Sequence, residues 1–186
     1  GALAIQNRGT IGGNIANASP AADTPPGLLV YEAQIELSSR SKKRLVPYSS
    51  FHTGYKTTVM QPNEVITRVL LPRQTQGLKH YYRKVGTRKA QSISKVCFSG
   101  VLSLTQGSAG ASVIAEARIG LGSVAAMPIR VTKTEQYLKG KVLDAATIAG
   151  AQAVLAKEIS PIDDIRSNRE YRLQVALNLL AEFLRV

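Results

Sequence analysis

Hydrophobic and polar positions alternate over the first two thirds of the chain and follow a helical spacing in the last third. Alternation, or a short run of apolar and β-branched residues, is typical of β-strands. Five segments have this character and are predicted to be strands: 33–38, 64–71, 79–85, 96–104 and 115–124. The basic turn Ser41–Arg44 predicts a hairpin after the first strand, and the Gly-, Ser- and Ala-rich segment 106–112 predicts another between the last two.

After position 130 the apolar spacing becomes helical, and three polar groups predict where helices begin. These are the Thr132–Glu135 capping box, Asp144, and the Ser167–Glu170 capping box. The last predicted helix carries one apolar stripe, which we expect to pack on its own sheet: Leu173, Ala176, Leu177, Leu180, Phe183 and Leu184. Strands followed by helices predict an α+β fold for this half of the chain.

Two segments outside these periods are rich in turn-forming residues. The start of the chain, 1–30, predicts two turns, whose markers are Gly9, Gly12 and Gly13, then Pro20, Pro25, Pro26 and Gly27. The polar segment Gln74–Gly77 has the composition of a linker. We therefore predict a first domain over residues 1–76 and a second over residues 77–186.

A formal net charge of +12 is concentrated in one stretch of the 186 residues. Residues 40–95 hold thirteen Lys and Arg and a single acid, Glu64, whereas the charges elsewhere cancel. Such a block attracts nucleic acid, acidic lipid or a phosphate-bearing cofactor, or is simply a solvated face. Charge alone leaves these alternatives open.

Cysteine and histidine are too scarce for most metal centres. The single cysteine, Cys97, excludes an internal disulfide and any multi-cysteine metal site within this chain, and His52 and His80 are the only histidines. Cys97 lies in an apolar strand, which predicts a buried and unreactive thiol. This cysteine usage favours a reduced, cytoplasmic setting. No membrane span is predicted, because the longest uncharged stretch, 96–115, is interrupted by polar residues and glycines.

The motifs of zinc proteases, serine hydrolases and P-loop nucleotide-binding proteins are absent from the sequence, so the informative segment is 10–15. Gly12 and Gly13 lack Cβ atoms, which lets the backbone approach an anion and aim successive N–H groups at it. Asn14 adds an amide donor, and Asp23 can accept a hydrogen bond from a ribose or ribityl hydroxyl. The spacing is not the dinucleotide-binding Gly-x-Gly-x-x-Gly fingerprint.

Residues 7–24, with the sequence NRGTIGGNIANASPAADT, closely resemble a flavin-contacting motif. The motif is that of the FAD subunits of molybdenum hydroxylases, a family that includes xanthine dehydrogenase and carbon monoxide dehydrogenase. Further matches follow in the family's order: FHTGY at 51–55, 64–72, KVGTRK at 84–89, AMPIR at 126–130, Asp164–Arg166 and Tyr171–Arg172. The segment 164–180 is most similar to xanthine dehydrogenase.

This resemblance implies a fold and a set of cofactor-binding residues. The fold is the C-terminal part of a vanillyl-alcohol-oxidase-type FAD-binding domain, followed by a small α+β domain of antiparallel sheet and helices. The residues implied to bind FAD are Thr10, Ile11, Gly12, Gly13, Asn14, Asp23, Ile66 and Lys84. Among them, Asp23 matches the acidic flavin-binding position, Ile66 a residue packed near the cofactor, and Lys84 a basic residue close to the isoalloxazine ring.

The resemblance also implies what the chain works with. Molybdopterin and 2Fe-2S clusters are expected on other chains or on further sequence, as is an additional pyrophosphate-binding subdomain that precedes Gly1 in the family's pattern. The chain is therefore expected to be an N-terminally truncated FAD unit. The loop 85–95 is expected to cover the flavin where the electron acceptor approaches. Because it carries Arg88, Lys89 and Lys95 and no acid, we hypothesise NAD as the acceptor rather than a neutral molecule.

The alternative from another class is a basic nucleic-acid-binding module. It would use residues 40–95 for the phosphates, with four tyrosines as stacking rings: Tyr48, Tyr55, Tyr81 and Tyr82. This alternative accounts for the charge but leaves the Gly12–Gly13–Asn14 segment and Asp23 unexplained.

Overall fold

A computed structural model describes residues 2–73, 77–89 and 91–185, apart from the side chain at 109. The helices are α1 Leu3–Gln6, α2 Ile11–Ala16, α3 Pro25–Val30, α4 Thr132–Leu138, α5 Ala145–Glu158 and α6 Arg169–Phe183. The strands are β1 Gln34–Ser38, β2 Lys43–Pro47, β3 His52–Gly54, β4 Thr57–Thr58, β5 Val65–Leu70, β6 Lys79–Val85, β7 Val96–Gln106, β8 Ser112–Gly122 and β9 Ile129–Arg130. No helix in the described part is long and apolar enough to cross a membrane.

Antiparallel pairing builds two main sheets from the predicted strands. The first has the order β2-β1-β5 and the second the order β6-β7-β8-β9, while β3 and β4 form a separate ribbon. The strand predicted at 79–85 matches β6, and the next two are longer than predicted because β7 and β8 continue into their hairpin. Both predicted hairpins are confirmed, and so is the α+β fold class.

Helix α6 packs against the second sheet through aromatic residues. The Phe183 ring lies between Phe98 of β7 and Tyr81 of β6, with ring centroids 5.6 and 5.9 Å apart. The predicted apolar stripe is confirmed as the face that packs on the sheet: Ala176, Leu180, Phe183 and Leu184 are buried, and Leu173 and Leu177 are partly buried. Helices α4 and α5 complete this core.

Both predicted capping boxes are wrong, although the helices exist. Helix α4 has Val131 at its N-cap without a side-chain bond, and its N-terminal N–H groups donate instead to Glu158 of α5, at 2.9 Å each. Helix α6 is capped by Asn168 rather than Ser167. A carboxylate distant in sequence thus replaces a local cap at α4. The predicted Asp144 cap of α5 is confirmed, since its carboxylate accepts from the Thr147 N–H at 2.7 Å.

The two turns predicted in 1–30 are wrong at most of their markers, because Gly12 and Gly13 lie in the short helix α2, and Pro25, Pro26 and Gly27 in α3. Pro20 does lie in a turn. Two local features explain the helices. Thr10 caps α2, and Pro25 begins α3 at a position where a missing N–H and a fixed φ favour a helix. The predicted linker falls largely on residues 74–76, which lie outside the described residues.

Helix α3 connects the first core to the second sheet. Leu28 and Leu29 belong to the core of the first sheet, where Ile35 of β1 and Phe51 are fully buried. The other side of α3 packs on β8 and β7. The segment from the glycine-rich helix to α3 therefore lies against both sheets, and this contact positions the site described next.

Candidate functional site

Helix α2 presents the glycine pair predicted to bind a cofactor. The Thr10 hydroxyl oxygen accepts from the Gly13 N–H at 3.0 Å, and the N–H groups of Ile11 and Gly12 precede the first intrahelical donor and point out of the helix end. A Cβ at Gly13 would lie 3.0 Å from the Thr10 hydroxyl oxygen, so glycine keeps this cap unobstructed. The side chain of Ile11 is exposed.

The predicted residue Ile66 lies beside this helix. It belongs to β5, and a Cβ added at Gly12 would lie 3.7 Å from the Ile66 Cβ. The absence of a side chain at Gly12 therefore lets α2 approach β5 closely. Ile66 itself is half-buried against the core of the first sheet.

Thr24 and the adjoining residue Asp23 connect α2 to Lys84. The Thr24 hydroxyl donates to the Asn14 side-chain oxygen, which fixes the segment that follows α2. The neighbouring residue Asp23 accepts from the Lys84 ammonium through Oδ2 at 2.6 Å. Thus Asn14, Asp23 and Lys84, which are distant in sequence, converge on one region.

The Asp23–Lys84 pair is held by further contacts. Asp23 Oδ1 accepts from the Ser94 hydroxyl at 2.6 Å, and the Lys84 ammonium also donates to the Ser92 carbonyl oxygen at 2.8 Å. The side chains of Asp23 and Lys84 are 31% and 28% exposed, so both reach the surface of the site. A partly exposed ammonium and carboxylate can therefore bind a ligand while remaining paired with each other.

Cys97 and Tyr82 lie behind this pair. The Tyr82 hydroxyl donates to the Asp23 carbonyl oxygen at 3.2 Å, and Cys97 Sγ lies 3.3 Å from the Tyr82 hydroxyl oxygen. Burial raises the pKa of Cys97 to about 11, and burial, followed by the hydrogen bond with Cys97, raises the pKa of Tyr82 above its ordinary value. Cys97 is buried as predicted and remains a neutral thiol at neutral pH.

A cleft of about 380 Å³ opens next to the pair. Its lining includes both charged groups and apolar side chains of α1 and the loop after β6: Ala2, Ala4, Ile5, Asp23, Lys84, Gln91, Ser92 and Ile93. A second cleft of about 350 Å³ shares part of this lining and adds Arg88 and Arg166. The Arg88 guanidinium donates to the Gln91 carbonyl oxygen at 3.1 and 2.6 Å, and Lys89 is exposed in the same loop.

Four residues that hold the site were not predicted as site residues: Thr24, Tyr82, Ser92 and Ser94. Thr24, Tyr82 and Ser94 are hydrogen-bonded through their hydroxyl groups to residues distant in sequence. Ser92 accepts from Lys84, eight positions earlier, through its carbonyl oxygen. Their only sequence signal is their place inside or next to the matched segments 7–24 and 84–95. Among the described residues, no group of acidic, histidine and cysteine side chains could hold a metal ion.

The nucleic-acid alternative predicts that four tyrosines stack on bases, and this prediction is wrong for two of them. Tyr48 is buried in the first core against Phe51 and His52, and Tyr81 packs on Phe98 in the second. Tyr55 and Tyr82 are exposed, but the Tyr82 hydroxyl donates to Asp23. The aromatic rings therefore do not form a continuous platform along the basic stretch.

Two family models match consecutive parts of the chain. The model described as the FAD binding domain in molybdopterin dehydrogenase matches residues 1–74, and that of the CO dehydrogenase flavoprotein C-terminal domain matches residues 80–186. Among curated relatives, the xanthine dehydrogenase FAD-binding subunit of Escherichia coli O157:H7 is 29% identical over 92% of this chain and 57% of the relative. The glyceraldehyde dehydrogenase medium chain of Sulfolobus acidocaldarius is 31% identical over 94% of this chain and 60% of the relative.

Solved structures agree with these matches. Carbon monoxide dehydrogenase from Hydrogenophaga pseudoflava superposes with a TM-score of 0.89 at 26% identity, and the reconstituted CO dehydrogenase from Oligotropha carboxidovorans with 0.86 at 30%. Each match covers 97% of this chain and 61% of the other. The chain thus spans less than two thirds of the length of these relatives, and nothing in the comparisons supports nucleic-acid binding. The chain belongs to the flavoprotein family of the molybdenum hydroxylases, with matches to both its FAD-binding and its C-terminal domains.

Proposed function

We propose that the chain holds the FAD of a molybdenum hydroxylase most similar to xanthine dehydrogenase. In that enzyme, electrons reach the flavin from iron–sulfur clusters and leave to NAD or oxygen, whereas hydroxylation takes place at molybdenum. The observation that carries the proposal is how the Thr10-capped helix is connected to Lys84: Asn14 is hydrogen-bonded to Thr24, and the residue next to Thr24, Asp23, is paired with Lys84. It brings together the residues that the family resemblance assigns to the cofactor.

The donors and acceptors present fit FAD. The N–H groups of Ile11 and Gly12 and the Asn14 amide suit phosphate oxygens, because they are neighbouring donors beside a residue without a side chain. The Asp23 carboxylate suits a hydroxyl of the ribityl chain or ribose, and Ile66 lies beside the glycine pair as an apolar neighbour. When bound, FAD supplies a ring that accepts and releases electrons.

Lys84 would act on the flavin by its charge. Its ammonium is held by Asp23 and the Ser92 carbonyl at the edge of the 380 Å³ cleft. A fixed cation at this place favours negative charge on a ligand in the cleft, since a partly desolvated charge is weakly screened. Lys84 would therefore favour negative charge on a bound flavin ring.

The assembly in which this occurs is part of the proposal. The partners are a molybdopterin-binding subunit, an iron–sulfur subunit or domain, and the remaining part of the FAD domain. Within the chain, we propose that residues 1–76 contribute to the FAD domain and residues 77–186 form the C-terminal domain. A cytoplasmic location stays a prediction from the cysteine usage.

The acceptor is proposed to be NAD, on account of the cations in the loop 85–95. Arg88 and Arg166 both line the cleft of about 350 Å³, which adjoins the cleft of about 380 Å³ that Lys84 lines. Replacing Arg88 by glutamine in the assembled enzyme should reduce NAD reduction at least several-fold and leave reduction of an artificial dye unchanged. An unchanged affinity for NAD would refute the choice of acceptor without affecting FAD binding.

Flavin content tests the proposed function directly. The complex containing this chain, purified from its native host, should contain FAD in a 1:1 ratio to the chain. Lys84→Met should lower the FAD content of the complex, whereas Lys133→Met, which removes an exposed lysine on α4, should not. A complex without flavin, or equal FAD content in both variants, would contradict the proposal.

A further inference from the structure

We infer that Ser94 is a positioning residue for the Asp23–Lys84 pair and that helix α6 supports the flavin cleft through it. The inference rests on the proposed function, because it concerns how the same cleft is held. Ser94 is fully buried, and its hydroxyl donates to Asp23 Oδ1 at 2.6 Å. Since Oδ2 of the same carboxylate accepts from Lys84, Ser94 fixes the rotation of the carboxylate that orients the ammonium.

Ser94 is itself held by Ser123, which follows β8. The Ser123 hydroxyl donates to the Ser94 carbonyl oxygen at 3.0 Å, and the Ser123 N–H donates to the Pro20 carbonyl oxygen at 2.8 Å. Ser123 has a φ of 67°, a left-handed conformation that costs free energy for a residue with a Cβ. Such a conformation persists where surrounding contacts hold the residue in place. Here the two hydrogen bonds of Ser123 join the segment before Asp23 to the loop that contains Ser94.

Arg172 of α6 completes the support. Its side chain is 3% exposed, and its Nη1 donates to the carbonyl oxygens of Lys95 at 2.8 Å and Ser123 at 3.2 Å. Nη2 donates to Asp164 at 2.7 Å. A buried guanidinium costs free energy unless its charge is paired and its donors are bonded. Arg172 uses Nη2 for the pairing with Asp164 and Nη1 to fix the backbone next to Ser94 and at Ser123, whereas its Nε has no hydrogen-bond partner among the described residues.

Together these contacts form one path from the C-terminal helix to the cofactor cleft. It runs from Arg172 through Ser123 and Ser94 to Asp23, and every link is a hydrogen bond of 3.2 Å or less. The consequence is that helix α6 acts on the orientation of Lys84 although no residue of α6 lines the cleft. Ser94 is the link that a small substitution can remove with little change in volume.

The test uses the assembled enzyme after removal of its flavin, titrated with FAD and followed by quenching of flavin fluorescence. Ser94→Ala should weaken FAD binding by about tenfold, the typical effect of losing a hydrogen bond to a charged group. The matched control is Ser38→Ala. Ser38 is a buried serine of β1 that lines neither cleft, and its hydroxyl is hydrogen-bonded to the Thr67 hydroxyl at 3.0 Å, so FAD affinity should stay unchanged.

A double-mutant cycle with Asp23→Ala separates positioning from a general structural effect. If Ser94 acts through Asp23, Ser94→Ala has no further effect on FAD affinity once the carboxylate is absent. An equal loss in both backgrounds, or no loss in the wild-type background, overturns the inference while the proposed function stands. If Asp23→Ala leaves FAD affinity unchanged, the proposed role of the pair fails and the inference fails with it.

Discussion

Asp23 illustrates what a sequence can reveal about a single residue and what it cannot. Its distance from the glycine pair, and the small residues between them, mark it as a ligand-binding candidate. Its partners Lys84 and Ser94 are 61 and 71 residues away, and no local pattern encodes those contacts. Lys84 was predicted only from a family motif, and Ser94 was not predicted as a site residue.

Glu64 is a second residue whose surroundings determine its role. As the single acid between Arg40 and Lys95, it has an obvious excess of cations to pair with, and Arg44 on β2 is its partner. Arg44 Nε and Nη2 donate to the two carboxylate oxygens at 2.7 and 2.8 Å, and the Gln61 N–H donates to Oε2. Part of the basic stretch is thus neutralised within the first sheet region.

This ion pair predicts a specific dependence of stability on pH. Hydrogen bonds from Arg44 and then from the Gln61 N–H lower the pKa of Glu64 from its ordinary value of 4.5 to about 2. A lowered pKa in the folded state means that the stabilisation is complete above pH 4.5 and is lost as the pH falls towards 2. The thermal unfolding midpoint of the purified protein should therefore fall over this interval, and less so in Glu64→Gln.

The control for this titration is Glu170→Gln, which removes an exposed carboxylate on α6. It should keep the wild-type dependence on pH. The wild-type protein and Glu64→Gln should differ most above pH 4.5 and converge near pH 2. A difference between them that does not change with pH would assign the stabilisation to packing rather than to the charge of Glu64.

At the scale of elements, the periodic segments were predictable and, apart from the Asp144 cap of α5, the ends of the helices were not. Strands β1, β5, β6, β7 and β8 follow from alternation or from short apolar and β-branched runs. β7 is such a run, since its first seven residues are buried on both faces of the sheet. Helix α4 was placed correctly, but its N-terminus is satisfied by Glu158, 24 residues from Thr134, rather than by a local capping box. The short helix α2 was missed because two glycines usually mark a turn, whereas here the Thr10 cap and the contact with Ile66 stabilise a helix.

The packing of α6 on β7 depends on the absence of a side chain at Gly100. A Cβ at this position would lie 2.7 Å from the Phe183 ring. Gly100→Ala should therefore lower the free energy of unfolding by about 1–3 kcal/mol, the usual cost of overpacking a core. Chemical denaturation of the purified protein measures this change.

A second substitution tests whether the ring is the cause. In the Phe183→Leu background the smaller side chain leaves space at Gly100, so Gly100→Ala should cost much less there than in the wild-type protein. An equal loss of unfolding free energy in both backgrounds would mean that the backbone of β7 at Gly100, and not the contact with Phe183, requires glycine.

At the scale of the whole molecule, two cores are joined by α3 and by ion pairs at its end. Arg130 of β9 donates to Glu32 at 2.9 Å, and Arg118 of β8 donates to the Val30 carbonyl oxygen at 3.2 Å. The sequence predicted two domains but not the surface between them, because that surface consists of backbone and long side chains without a periodic pattern. The site lies along this surface, since Asp23 precedes α3 and Lys84 belongs to the second sheet.

Gly120 of β8 lies in close contact with the start of α3. A Cβ there would lie 2.5 Å from the Pro26 carbonyl oxygen, a backbone atom that cannot rotate away. Gly120→Ala should separate α3 from β8, lower the free energy of unfolding by about 3 kcal/mol, and weaken FAD retention in the assembled enzyme because Asp23 moves relative to Lys84. Gly27→Ala, on the open side of the same helix, adds a methyl group with no atom within 4 Å and should leave both quantities nearly unchanged. If Gly120→Ala lowered stability but FAD retention matched that of Gly27→Ala, the contact would be structural only, and the cleft would not depend on how the two parts are joined.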